Sequence, residues 1–93
     1  MIIGVLRIRL VLREARSLKD KRHVVKSIMD RLANKFNVSI AEVDTQDEWQ
    51  QATLGVAMVG TDRRYVNAVL SKLVDHLRFA PGAELVDYEL EMF

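Results

Sequence analysis

The chain has 93 residues, 49% hydrophobic and 29% charged, with four glycines, one proline, no cysteine and a formal net charge of +1. That composition describes one small domain, too apolar to stay disordered and without the means to form disulfides, thiolate metal sites or cysteine nucleophiles. The near-neutral total hides a polarised sequence: residues 7–35 hold ten bases against three acids, and the remainder holds four bases against ten acids.

The opening segment Ile2–Leu12 alternates, with Leu6, Ile8, Leu10 and Leu12 on one side and Arg7, Arg9 and Val11 on the other. A period of two marks a half-buried strand. The apolar run is broken by Arg7 and Arg9, too short for a membrane span, and has no signal-peptide cleavage pattern, so the expectation is a cytoplasmic protein without membrane contact.

Ser17 followed by Asp20 has capping-box spacing, with Asp in place of Glu, and starts a helix predicted to run to about Lys35. Val25, Ile28, Met29, Leu32 and Phe36 recur at helical spacing as its buried stripe. A short strand over Asn37–Val43 follows, then a polar hairpin connection over Asp44–Gln50. Gln51–Gly60 is a third strand, and Thr61 or Asp62 caps a second helix predicted to reach about Phe79. Its stripe is Val66, Val69, Leu70, Leu73, Val74 and Leu77. Pro81-Gly82 stops the chain before a last strand, Glu84–Phe93, expected to turn Val86, Tyr88, Leu90 and Met92 to one side.

The order βαββαβ predicts an α+β, ferredoxin-like domain over residues 1–93: a four-stranded antiparallel sheet, order 4-1-3-2, with two helices on one face. In that topology the 13–20 loop, the 44–50 hairpin and the 80–83 turn share one end. Arg16, Lys19, Lys21, Arg22 and His23 then lie near the acidic hairpin and Trp49, and form a candidate site for RNA phosphate or a protein partner. The alternative is a solvated loop whose bases pair with the hairpin acids. Trp49 either closes the end of the core, the preferred reading, or anchors a partner.

The uncovered sheet face offers a second candidate surface, with Val11, Ala41, Val43, Gly55, Ala57 and Val59 at its centre. Small apolar residues inside a charged rim suit close approach by another protein, including a second copy of the chain as a homodimer. The alternative is a solvated face with scattered aliphatics.

Catalytic signals are weak. The two strands expected at the sheet centre, the first and third, have no aromatic on which a base could stack, and the loop after strand one has no glycine to cradle an anion. No P-loop, zinc signature or nucleophile elbow occurs, and no cofactor or metal is implied. His23 is expected to be exposed and His76 to pack or cap. Asp44, Asp47 and Glu48 read as turn residues more readily than as a cation site.

The run Ser17-Leu18-Lys19-Asp20-Lys21-Arg22, with Val25-Lys26-Ser27, resembles the YlxP-like family of bacterial proteins. The similarity continues through Phe36-Asn37-Val38-Ser39, Ala41-Glu42-Val43, Gln46-Asp47, Trp49-Gln50, Ala52-Thr53-Leu54-Gly55-Val56-Ala57 and Asp62-Arg63-Arg64. It implies a single ferredoxin-like domain with no assigned activity and no catalytic residues to carry over. Genes of the family often stand beside those for initiation factor two and ribosome-binding factor A, which implies a ribosome- or RNA-associated role.

Overall fold

A computed structural model describes all residues, 1–93, in the order β1 (Ile2–Val11), α1 (Leu18–Lys35), β2 (Ser39–Val43), β3 (Gln51–Gly60), α2 (Arg63–Leu77) and β4 (Glu84–Met92). The sheet is antiparallel with order β2-β3-β1-β4, which is the expected 4-1-3-2 order read from the other edge. The fold is therefore ferredoxin-like. Neither helix is long and apolar enough to cross a membrane.

The local signals act as read. Ser17 Oγ accepts from the Asp20 amide at 3.1 Å, while an Asp20 carboxylate oxygen accepts from the Arg16 amide at 3.0 Å, one residue earlier than a standard box closes. Asp62, not Thr61, caps α2 by accepting from the Arg64 amide at 2.9 Å. The core has 18 buried apolar residues, among them Leu6, Ile8 and Leu10 of β1, the α1 stripe Val25, Ile28 and Leu32, and Leu70 and Leu73 of α2. Gly4 and Gly60 let the start of α2 sit directly on the sheet: a Cβ at either would lie 2.6 Å from a Val66 methyl.

The β4 alternation departs from expectation. Glu84 and Leu85 pair with Val11 and Leu10, whereas Asp87 pairs with Arg9, so a bulge leaves Val86 without a partner. Leu85 consequently takes the core side opposite Leu10, and Val86 stays exposed, as does Tyr88 to a lesser extent. Beyond the bulge the alternation holds, with Leu90 opposite Leu6 and Met92 opposite Gly4.

Candidate functional site

Three connections meet at one end of the sheet. The Gln50 side-chain amide donates to the Arg13 and Ala15 carbonyls at 3.1 and 3.2 Å, and the Leu12 amide donates to Gln50 O at 2.9 Å. Gly82 of the 80–83 turn lies against Val24 of α1. The loop before α1 and the β2–β3 hairpin are thus neighbours.

Lys21 does not belong to an external surface there. Its side chain has 0% exposure, and Nζ donates to Glu42 Oε2 at 2.8 Å and to the backbone oxygens of Thr45 (2.5 Å), Gln51 (3.3 Å) and Gln46 (3.5 Å). An ammonium with its donors used internally cannot contact RNA, so Lys21 is removed from the expected partner-binding set. Burial explains it: a desolvated charge persists only when paired and hydrogen-bonded. Thr45 Oγ1 completes the network, donating toward Glu42 and accepting from the Thr53 amide at 2.7 Å.

This burial had a readable signal. Lys21, Val25, Ile28 and Leu32 fall at i, i+4, i+7 and i+11, so the lysine continues the apolar stripe. Glu42 follows Ile40 at strand spacing and turns to the same side.

Arg16, Lys19, Arg22 and His23 are exposed, and none of the four has an ion-pair partner. Trp49 is 55% exposed, which overturns the preferred expectation that it closes the core. The polar hairpin is held down by Lys21 and Gln50, so the indole is not needed as a lid. His76 packs as expected, its ring edge-on to Phe36 with centroids 5.4 Å apart. The hairpin acids do not gather into a cation site, because Asp44 turns to Arg7.

The structure sorts charge by layer. On the open sheet face Arg7 pairs with Asp44, Arg9 with Asp87 (Nε to Oδ1, 2.7 Å) and Arg13 with Glu84 (2.9 Å). The Arg9 guanidinium, first by its hydrogen bond and then by its charge, holds the Asp87 carboxyl below the usual carboxylate range. The helices differ. Lys19, Arg22, Arg31, Lys35, Arg63, Arg64 and Lys72 are exposed without an ion pair. Their four acids are engaged: Asp20 and Asp62 accept from helix-start amides, Asp30 pairs with Lys26 at 2.8 Å and Asp75 with Arg78. The helical layer therefore carries excess positive charge.

Of the residues expected at the centre of the open face, Ala41, Ala57 and Val59 are exposed and Val11, Val43 and Gly55 are half-buried. They do not form one uniform patch. Ile3 pairs with Val59 and Val5 with Ala57, giving an apolar half, whereas Val11 and Val43 lie beside the ion-paired half.

The family model described as "Protein of unknown function (DUF503)" matches residues 3–90. The chain belongs to this family. It is 36% identical over 92 residues to the Bacillus subtilis (strain 168) protein named "Uncharacterized protein YlxP", an alignment spanning 99% of this chain and 100% of that one. Among solved structures it is similar to the de novo designed protein Foldit4, with a TM-score of 0.56 at 11% identity, covering 100% of this chain and 97% of the design. That likeness concerns the fold alone.

Proposed function

We propose that this protein is a non-enzymatic RNA-binding accessory factor of the translation apparatus, contacting phosphates through its helical layer. The observation that carries this reading is the separation of charge. The sheet-face arginines are neutralised internally, while seven helix bases are exposed without a carboxylate partner. Lys19 and Arg22, with Arg16 before them, stand at the start of α1, where unpaired amides and the helix dipole add to the attraction for an anion. The position of family genes beside translation genes agrees with such a partner.

Replacing Arg16, Lys19 and Arg22 together by glutamate tests it. The wild-type chain should co-sediment with ribosomes or RNA at low salt, with log affinity falling by roughly 0.7–0.9 per phosphate contact per log unit of salt. The triple variant should lose that binding while remaining folded. Equal co-sedimentation of both would refute the reading.

A second reading is self-association or partner binding through the open sheet face. It is favoured by the apolar half around Val5, Ala57 and Val59, the last 63% exposed. Ala57→Arg should then convert an assembly to monomers in sedimentation without altering RNA binding.

A further inference from the structure

Between the two helices runs a groove of about 250 Å³, floored by Ile28 and Leu32 of α1, Leu77 of α2 and Ala80. Arg31, Lys35 and His76 line it, and no carboxylate does. The packing of His76 on Phe36 gives the groove one aromatic wall in a set orientation.

The rim breaks a local rule. Arg31 and Lys35 are like charges at i, i+4, an arrangement that weakens a helix by a few tenths of a kcal/mol. Lys35, in the last turn of α1, complements the negative end of the helix dipole. Arg31 lies a turn earlier and has no such explanation. Its sequence neighbour Asp30 is committed to Lys26. Two unpaired cations over an apolar floor call for a ligand that is anionic at one end and apolar or planar at the other. The volume lies below the ~300–1,000 Å³ of sites that enclose drug-sized molecules, which limits the guest to about one ring system.

We propose that this groove is a nucleotide subsite: one base of an RNA strand lies against Ala80 and the His76 ring, above the buried Ile28, Leu32 and Leu77, and its phosphate sits between Arg31 and Lys35. The inference rests on the RNA reading above and deepens it, placing base contact on the helical layer of a chain whose central strands offer no aromatic for stacking.

The test compares a fluorescein-labelled RNA decamer with an abasic decamer of equal charge, by anisotropy at low salt on the full chain. The wild type should bind the intact strand about five- to tenfold more tightly, the worth of one stacked base. Ala80→Leu, which fills the floor without changing charge, should equalise the two strands. Amide NMR shifts at Leu32, Leu77 and Ala80 of the unmodified chain, induced by the intact strand alone, give the same answer without relying on a variant's folding. Equal binding of both strands by the wild type overturns the subsite and leaves the phosphate-binding reading standing. If neither strand binds, the RNA reading fails, and adenosine monophosphate decides the groove. Shifts at those three amides sustain a nucleotide site fed by free nucleotide, and their absence overturns it.

Discussion

Lys21 Nζ lies 2.8 Å from Glu42 Oε2, an ion pair in which the lysine is wholly buried and the glutamate side chain only 12% exposed. It ties the first turns of α1 to the end of β2, and the same ammonium gathers carbonyls from both sides of the β2–β3 hairpin. The hairpin that carries exposed Trp49 is thus held from beneath by Lys21, while Gln50 fastens it to the loop before α1.

Removing one partner of such a pair leaves the other buried without compensation, which costs about 3–5 kcal/mol. Lys21→Met should therefore lose about that much in urea unfolding, a large share of the ~5–15 kcal/mol available to a domain. Adding Glu42→Gln should recover more than about 1 kcal/mol, because no lone buried charge then remains. A double mutant that is simply additive would show the two residues to be uncoupled.

Gly4 faces α2 where no side chain fits. A Cβ there would stand 2.6 Å from Leu70 Cδ1 and Val66 Cγ1, so Gly4→Ala should destabilise by about 1–3 kcal/mol through overpacking. In a Val66→Ala background the same change should cost clearly less, since one of the two clashes is gone. Unfolding midpoints of the four-member cycle measure this.

Ser17→Ala removes the acceptor for the Asp20 amide at the start of α1 and should cost about 1 kcal/mol. Ser17→Asp should restore most of it. Chemical denaturation followed by circular dichroism is sufficient.

The Arg9–Asp87 pair predicts a dependence on acid pH. Asp87 has its folded-state pKa lowered, chiefly by the Arg9 hydrogen bond. The pair's contribution is therefore complete above the unfolded carboxyl value of about 4 and disappears as pH falls through the lower folded value. Asp87→Asn should be less stable than wild type at neutral pH, and the two should converge as pH falls through the lowered folded value. The difference is small because both side chains face solvent. A gap that persists unchanged into strong acid would assign the effect to packing.

Much of the fold was legible because its signals are local and repeated. The period of two in β1, the helical stripe from Val25 to Leu32 and the caps Ser17 and Asp62 each depend on residues a few positions apart. The β4 bulge was not legible. It arises where the strand accommodates its register with β1, and Val86 carries no residue type that announces it. At the candidate site Lys19 and Arg22 are exposed, as a surface contact requires. Lys21 was assigned to the surface by its charge although its spacing placed it in the core stripe. Trp49 went the other way: its apolarity suggested burial, and the hairpin's polar network left it outside.

By itself the sequence determined the six elements, the sheet order and the apolar core, because side-chain periodicity and capping follow from backbone geometry within single segments. Only the tertiary structure decided which charges meet. Ion pairing depends on approaches between residues such as Arg7 and Asp44, or Lys21 and Glu42, that are distant along the chain. Neutralising the sheet and leaving the helices basic is a consequence of those distances, and a one-dimensional count that sums to +1 contains no trace of it.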